Sequence, residues 1–404
     1  MRVCLFTDTL ADVNGVSRFI ANIAAEARAT GRDLTVLTST RLPLEPATNI
    51  ANFPPLYARR MPKYENLELA FPPARAMLRH ARALGPDAIH ASTPGPVGLA
   101  GLLAAWKLGV PLLGVYHTDF PAYIEHLFRK PFLTRATAGY MRLFYSRFVT
   151  VFTRTEEYAA ALVALGIARE RIVRLLPGID VSKFQPSLRD PGLWARLGIR
   201  RDGPKVLSIG RVSVEKNLPL LARAWRQVVR ESGGAAGAAS GPGGGSPTLV
   251  VVGDGPYRAA MERELGGYQA SFLGFRHGAE LSALYASADL FVFPSATDTL
   301  GQVVMEAQSS GLPVLVSDQG GPREVVREGE TGLVLPAGDP SAWAAAIVSL
   351  VADPSRRARM GAAAHTFMQS MTIRHSFEHF WSVHEEAVRA RAGPKEQTPG
   401  RPGV

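Results

Sequence analysis

Cysteine is almost absent from this chain, since Cys4 is the single one among 404 residues. One cysteine excludes an internal disulfide and fits a reducing compartment, and its place in a short apolar run favours core packing over catalysis. No run of about 18 apolar residues occurs, so no transmembrane helix is expected. The first apolar run is too short for a signal peptide. The expected location is cytoplasmic, and peripheral attachment to the inner face of the cytoplasmic membrane stays open.

Acidic residues are scarce in the first half of the chain. Residues 1–187 contain 22 Lys and Arg but 14 Asp and Glu, whereas the remainder contains 23 and 21. This imbalance indicates either ordinary solubility or a surface that meets something anionic. No recognised nucleic-acid motif accompanies the charge, so nucleic acid is not an expected partner. An anionic membrane surface or a phosphorylated acceptor fits better.

Two blocks of short apolar strands alternate with helices, which predicts buried parallel strands in doubly wound sheets. The expected fold class is α/β, with two Rossmann-like domains facing across a cleft where ligands of such sheets bind. The Gly-rich stretch 232–247 is expected to be a mobile surface loop. The predicted boundaries are 1–187 for the N-terminal acceptor domain, 188–374 for the C-terminal nucleotide-sugar domain, 375–391 for a last helix and 392–404 for a disordered tail.

Two carboxylates eight positions apart form the most informative pattern. Asp298 precedes a predicted helix, Gly301 opens it, and Glu306 lies about a turn and a half inside. Such a pair suits a ligand with hydroxyl groups at two places and negative charge between them, as in a nucleoside diphosphate sugar, with the phosphates at the helix N-terminus. Thr299 and Leu300 belong to the same loop.

Three further strand ends carry glycine. Gly210, Arg211 and Lys216 follow one strand, and this pattern fits phosphate binding or two solvated cations about equally well. Gly253 begins a Gly-x-Gly turn that allows close approach of a ligand, although most such turns are only turns. The backbone near Phe272 could contact a base, although side-chain packing in the core is the default there.

The first block has its own candidates. Asn14 and Gly15 lie at the first strand-to-helix turn, where flexible backbone suits a phosphate or an acceptor. His117 and Asp119 end another strand; the histidine could donate to a sugar hydroxyl, and the carboxylate could orient it or accept a proton. A histidine at a strand end is often only structural, but its location favours function.

The segment 126–148 contains five basic residues, six aromatic residues and no acid. It fits a membrane-surface element or an amphipathic helix whose aromatic rings pack on its own domain. Because half of the aromatic residues fall at core spacing, packing is slightly favoured.

Together these motifs resemble the family-4 glycosyltransferases of GT-B architecture, from Met1 to about Glu386. The most specific are Gly210–Lys216, Val252–Pro256 and the acidic pair. Asn14-Gly15, Thr93–Gly95 and Tyr116–Asp119 resemble the subgroup of GDP-mannose-dependent α-mannosyltransferases and related glycolipid glycosyltransferases. The resemblance implies that the last helix crosses back onto the first domain.

The resemblance also implies roles for individual residues. Arg211 and Lys216 would bind the diphosphate, Glu306 the ribose, Asp298 the donor sugar, and His117 that sugar from the other domain. The family pattern has Glu where this chain has Asp298, which puts the sugar preference in doubt. The expected catalytic residues are His117, Arg211, Lys216 and Asp298. The expected donor-binding residues are Gly15, Gly210, Arg211, Lys216, Gly253, Phe272, Asp298, Thr299, Leu300, Gly301 and Glu306, with Asn14 and Asp119 on the acceptor side.

The expected activity is retaining transfer of a hexose, with mannose from GDP-mannose preferred, to a hydroxyl of a lipid, polyol or glycan. Its partners are the nucleotide-sugar donor, that acceptor and an anionic membrane surface. No cofactor and no metal are expected, because no Asp-x-Asp-type metal clamp is convincing. The alternatives are a UDP-sugar-dependent glycolipid glycosyltransferase, a GT-B nucleotide-sugar epimerase and a non-catalytic nucleotide-sugar sensor.

Overall fold

The chain folds into two compact units. A computed structural model describes residues 1–11, 15–61, 64–200, 202–233 and 245–392. One unit comprises Met1–Leu176 and the chain from Ile373, and the other comprises Pro177–Thr372. The predicted boundary at 187 lies too late, because residues 177–187 belong to the second unit. The predictions for Asn14, for most of the Gly-rich loop and for the tail beyond Ala392 lie outside the described residues.

The first unit is built on a seven-stranded parallel sheet and a separate antiparallel hairpin. The sheet order is β3-β2-β1-β6-β7-β8-β9, and β4 pairs with β5 in the hairpin. The strands are β1 (Arg2–Thr7), β2 (Asp33–Thr38), β3 (Ile50–Asn52), β4 (Tyr57–Met61), β5 (Tyr64–Phe71), β6 (Ala88–Ala91), β7 (Leu112–Tyr116), β8 (Thr150–Thr153) and β9 (Ile172–Arg174).

Helices cover both faces of this sheet. They are α1 (Gly15–Thr30), α2 (Ala74–Leu84), α3 (Pro96–Leu108), α4 (Phe120–Phe128), α5 (Pro131–Tyr145), α6 (Glu156–Ala164), a 3-10 turn (Arg169–Arg171) and the C-terminal helix (Ile373–Ala392). Successive residues of β1 point to opposite layers. Cys4 packs with residues of α2 and α3, and Leu5 packs with residues of α1 and the C-terminal helix. Period-two burial on both faces is what a doubly wound sheet requires.

The second unit repeats this architecture with a six-stranded parallel sheet in the order β12-β11-β10-β13-β14-β15. Its strands are β10 (Lys205–Ile209), β11 (Thr248–Val252), β12 (Ala270–Gly274), β13 (Leu290–Phe293), β14 (Val314–Ser317) and β15 (Gly332–Leu335). Its helices are α7 (Leu193–Arg196), α8 (Leu218–Gly233), α9 (Arg258–Glu264), α10 (Gly278–Ser287), α11 (Gln302–Ser309), α12 (Pro340–Ala352) and α13 (Pro354–Gln369), with 3-10 turns at Pro186–Leu188, Val214–Lys216 and Gly321–Val325.

The structure differs from the expectations drawn from the sequence at two places in the first unit. The apolar run Phe148–Phe152 predicts a strand, but β8 starts only at Thr150, because Phe148 packs into the core from the preceding turn. The segment 126–148 is divided between the end of α4 and the whole of α5. Phe144, Tyr145 and Phe148 are buried, whereas Phe128, Phe132 and Tyr140 are exposed. The preference for packing therefore holds for half of these rings.

Within the residues that the structure describes, no helix is both long enough and apolar enough to cross a membrane.

Candidate active site

The two carboxylates of the second unit lie at the carboxyl end of β13. Asp298 is in the loop that follows the strand, and Glu306 is inside α11. Gly301 precedes the helix in the left-handed conformation (φ 72°), and a Cβ there would lie 2.9 Å from the Pro322 ring. No side chain of the described residues caps this helix N-terminus. Glycine is therefore required sterically, and the uncapped N–H groups suit an anion.

Asp298 is held by a cation rather than standing alone. Lys216 Nζ lies 2.8 Å from Asp298 Oδ1 and 2.9 Å from Oδ2, and both side chains are about three-quarters buried. The sequence assigned these residues to different parts of a ligand. The structure brings them together, so the lysine already has a carboxylate partner at the place where phosphate binding was predicted.

Arg211 lies in the same region but is largely exposed, and its Nε is 3.9 Å from Glu215. Gly210, Arg211 and Lys216 line one small pocket, whose wall also includes Phe293 at the end of β13. The two predicted cations thus share a pocket at the carboxyl ends of two neighbouring strands. Arginine here can fork onto phosphate oxygens and lysine can add a point charge.

Glu306 is buried, in contrast to the open position that a ligand contact suggests. It is 5% exposed, and its Oε2 accepts a hydrogen bond of 2.9 Å from the Tyr285 hydroxyl. The tyrosine belongs to α10, so the bond joins two helices of the same layer. Its role toward ribose stays a prediction, and a structural role is now visible beside it.

The glycines of the turns are explained mostly by backbone packing. A Cβ on Gly253 would lie 2.0 Å from the Gly210 carbonyl oxygen, and the Gly253 N–H donates to the Gly274 oxygen. In the Gly320-Gly321 pair, Gly321 N–H donates to the Asp298 carbonyl. These glycines fix the loops that carry the cations and carboxylates. The Phe272 side chain packs partly against the core, as the default interpretation expected.

In the first unit, His117 follows β7. Its Nε2 lies 3.1 Å from Ser92 Oγ at the end of β6, and its buried Nδ1 has no hydrogen-bond partner in the described structure. Burial, and then the charge of Arg154, lowers the pKa of His117 well below its ordinary value. Ser92, not Asp119, is the partner that orients the ring. Asp119 instead caps α4, where its Oδ1 accepts from the Ala122 N–H.

The N-terminus of α3 is occupied by a side chain of the protein itself. Asp8 follows β1 and accepts hydrogen bonds from Thr93 Oγ1 and the Val97 and Gly98 N–H groups. Burial raises the pKa of this carboxyl, and the hydrogen bonds oppose that rise. A Cβ on Gly95 would clash with this carboxylate. Asp8 was not singled out in the sequence, although it directly follows the first strand.

Gly15 opens α1, and among the residues that the structure describes a Cβ there would meet nothing within 4 Å. The fold therefore does not require glycine at this position, which leaves room for a ligand to approach. Arg154, directly after β8, is a second residue that the sequence analysis missed. Its strand-end position was the available signal. Where the chain is described, no group of three or more His, Cys, Asp or Glu could hold a metal ion.

Solved structures share this fold across nearly the whole chain. The Anabaena HepE protein in complex with UDP has a TM-score of 0.73 and 19% identity, and covers 96% of this chain and 100% of its own. WaaG, a glycosyltransferase involved in lipopolysaccharide biosynthesis, has a TM-score of 0.66 and 18% identity, with 97% and 100% covered. Two doubly wound units of this kind define the GT-B fold.

Sequence comparison specifies the family. The family described as Glycosyl transferases group 1 matches residues 194–367, and Glycosyltransferase Family 4 matches residues 13–183. The chain therefore belongs to the family-4 glycosyltransferases. It is 35% identical over 351 residues to a GDP-mannose-dependent alpha-mannosyltransferase of Mycobacterium tuberculosis, covering 84% of this chain and 85% of the relative. It is 31% identical over 375 residues to the sulfoquinovosyl transferase SQD2 of Arabidopsis thaliana, covering 90% and 69%.

Proposed function

We propose that the protein transfers a hexose, with retention of anomeric configuration, from a nucleotide sugar to a hydroxyl of a lipid, polyol or glycan acceptor. GDP-mannose is the proposed donor. The names of relatives from Mycobacterium tuberculosis and Mycolicibacterium smegmatis, both GDP-mannose-dependent alpha-mannosyltransferases, support this choice. A UDP-sugar is the second candidate, because the Anabaena HepE structures contain UDP or UDP-glucose.

The observation that carries the proposal is the pairing of Lys216 with Asp298 beside the uncapped N-terminus of α11. A lysine held next to a helix N-terminus forms a positive region, and the carboxylate balances it when no phosphate is bound. On donor binding, the diphosphate would take over the lysine and Asp298 would turn to the sugar hydroxyls. The orientation of the Asp298 side chain would thus depend on whether a phosphate group is bound.

The chemistry follows from these charges. As the bond between the sugar and the phosphate breaks, negative charge accumulates on the diphosphate, where Arg211, Lys216 and the N–H groups after Gly301 stabilise it. The acceptor oxygen then attacks the same face of the sugar, and its proton passes to the departing phosphate oxygen. The family resemblance implies that His117 would also contact the sugar. No carboxylate is needed as a covalent nucleophile.

The proposed reaction is independent of a divalent metal, since the two cations do the work that a metal does in other transferases. Activity should therefore be unchanged after dialysis against EDTA. Loss of activity that Mg²⁺ or Mn²⁺ restores would contradict this part of the proposal.

A thermal-shift screen tests the donor. GDP, UDP and their mannose and glucose derivatives should be compared at equal concentration, because the native-state ligand with the higher affinity raises the melting temperature more. The expected result is a larger shift with GDP and GDP-mannose than with the uridine compounds, and a shift by UDP alone would favour the second candidate. Release of free GDP only when an acceptor is present would support transfer and exclude epimerisation.

A further inference from the structure

Arg154 is a partly buried cation without an anionic partner. It follows β8 at the carboxyl edge of the first sheet, and its Cζ lies 5.2 Å from the centre of the Phe19 ring. Within the described part of the chain, the guanidinium contacts this ring and forms no ion pair. Its charge contributes to the lowered pKa of His117. Burial lowers the pKa of Arg154 to about 10, and no carboxylate opposes that effect.

Other arginines of the first unit have partners of a kind that Arg154 lacks among the described residues. Arg32, also partly buried, lies 2.6 Å from Glu378, and Arg2 donates to the Leu84 carbonyl oxygen. A cation withdrawn from water without an anion costs free energy that pairing would recover. The guanidinium of Arg154 remains charged at neutral pH and presents five donors in a fork that fits the oxygens of a phosphate.

A second donor lies beside it. The Phe19 ring that Arg154 covers also contacts the His117 ring, with 5.8 Å between the ring centres. If His117 Nε2 accepts from the Ser92 hydroxyl, the proton of the neutral ring is on Nδ1, the buried atom without a partner. The carboxyl edge of this sheet thus combines a cation and an unused N–H group around one aromatic ring, and both can bind an oxyanion.

We propose that Arg154 binds a phosphate group of the acceptor substrate, so that the acceptor is a phosphorylated polyol or a phospholipid. The assignment to the acceptor rests on the proposed transfer reaction; the anion site itself does not. The donor diphosphate is the less suitable ligand, because the second unit supplies its own cations, Arg211 and Lys216. A hydroxyl near the bound phosphate would then be placed toward the reacting sugar by a charge-assisted contact.

The test uses inorganic phosphate and the full-length protein. In the Lys216→Ala background, which weakens the predicted diphosphate site, phosphate should raise the melting temperature at constant ionic strength. Adding Arg154→Met should lower the apparent phosphate affinity at least tenfold, whereas adding Arg147→Met, which removes an exposed arginine of the same unit, should leave it unchanged. No phosphate effect in the background, or equal effects in both double variants, would overturn the proposal.

Two further measurements distinguish a phosphate site from a structural role of Arg154 and from donor binding. Without phosphate, Arg154→Met should melt at the same temperature as the wild type or higher, because a partly buried charge without a described anionic partner is removed. A fall of several degrees would show that Arg154 serves the fold through Phe19, and would overturn the site. GDP affinity should change less than twofold in Arg154→Met; a tenfold loss would reassign the residue to the donor. Failure of any nucleotide to bind the wild type would refute the proposed function but not the phosphate site.

Discussion

At the scale of single residues, the proposed function depends most on the ion pair between Lys216 and Asp298. In the family pattern that this chain resembles, glutamate occupies the position of Asp298. In this chain both oxygens of Asp298 lie within 2.9 Å of the lysine ammonium. We expect the diphosphate of a bound donor to compete with Asp298 for the lysine, which would link donor binding to sugar recognition.

Replacing Lys216 by alanine should lower the transfer rate on the order of 100-fold or more, as expected for a group that stabilises charge in the transition state. Steady-state kinetics with the donor identified by thermal shift is the measurement. Lys183→Ala is the matched control, since Lys183 is an exposed lysine of the same unit that pairs with Asp180. Equal rates in Lys216→Ala and the control would refute the phosphate assignment.

Glu306 allows its two roles to be separated. Glu306→Gln keeps an oxygen that can accept from Tyr285 but removes the charge. If the carboxylate binds ribose, nucleoside diphosphate affinity should fall about tenfold, the equivalent of about 1.4 kcal/mol. Calorimetry measures it, with the exposed Glu330→Gln as control. A lower melting temperature with unchanged nucleotide affinity would leave Glu306 as a structural partner of Tyr285 alone.

At the scale of elements, two buried histidines help to attach the C-terminal helix to the first sheet. His384 Nε2 on the helix lies 3.1 Å from His90 Nδ1 on β6, and His384 Nδ1 lies 2.7 Å from the Phe380 carbonyl oxygen. Burial lowers the pKa of His384 to about 4, and that of His90 moves in the same direction. Both rings are therefore neutral in the folded protein at pH 7.

This predicts a loss of stability in mild acid. Between about pH 6.5 and 4 the unfolded chain binds the proton of His384 and the folded chain does not. The contribution of His384 to the free energy of unfolding should therefore be fully present above pH 6.5. It should fall by on the order of 3 kcal/mol as the pH drops to about 4. Urea unfolding at pH 7.5 and 5.0 should show about 2 kcal/mol of this loss, because pH 5.0 still lies above the folded pKa of about 4. His384→Gln should show a smaller pH effect than the wild type, and exposed His277→Gln the same effect.

The elements that the sequence predicted best are the buried parallel strands. β6, β7, β10, β11 and β13 lie where their apolar runs predict them, because a strand covered by helices on both faces needs apolar residues at every position. The missed elements lack that signal. β4 and β5 form an isolated hairpin outside the sheet, and β15 is half-exposed at the sheet edge. None of the three is a strand covered by helices on both faces.

Within the site, strand ends and glycines identified the loops but not the contacts. Spacing placed Lys216 and Asp298 at the ends of different strands, 82 residues apart, so no local pattern could reveal their ion pair. The same holds for Ser92 with His117 and for Tyr285 with Glu306. Partners of this kind depend on strand order, which brings β6 next to β7 although other elements separate them in the chain.

At the scale of the whole molecule, exposed apolar residues are concentrated in the first unit, which is also the basic one. Leu99, Leu103 and Trp106 recur at helical spacing on α3 and are all exposed, Trp106 to 74%. Phe132 and Leu143 are exposed on α5, the helix that also carries Arg135 and Arg142. Apolar side chains beside several cations are typical of a surface that docks on anionic lipid.

We therefore expect vesicles rich in phosphatidylglycerol to sediment the protein at low salt and release it at high salt, because screening weakens the attraction. Trp106→Ala should reduce binding on the order of tenfold, since the exposed indole would supply much of the apolar contact with the lipid. Phe275→Ala, an exposed aromatic of the second unit, is the control. Binding that is independent of salt and of Trp106 would refute docking through this surface.

The C-terminal helix finally has a consequence for the order in which the protein is made. The second unit, Pro177–Thr372, is one continuous insertion, and its ends meet where the Ile179 N–H donates to the Met371 carbonyl oxygen. Phe377, Phe380 and Trp381, which fill one layer of the first core, are synthesised after all of it. The ribosome therefore completes the second unit while the first unit still lacks one layer of its core. The unit that is synthesised first is the last to have all of its core residues.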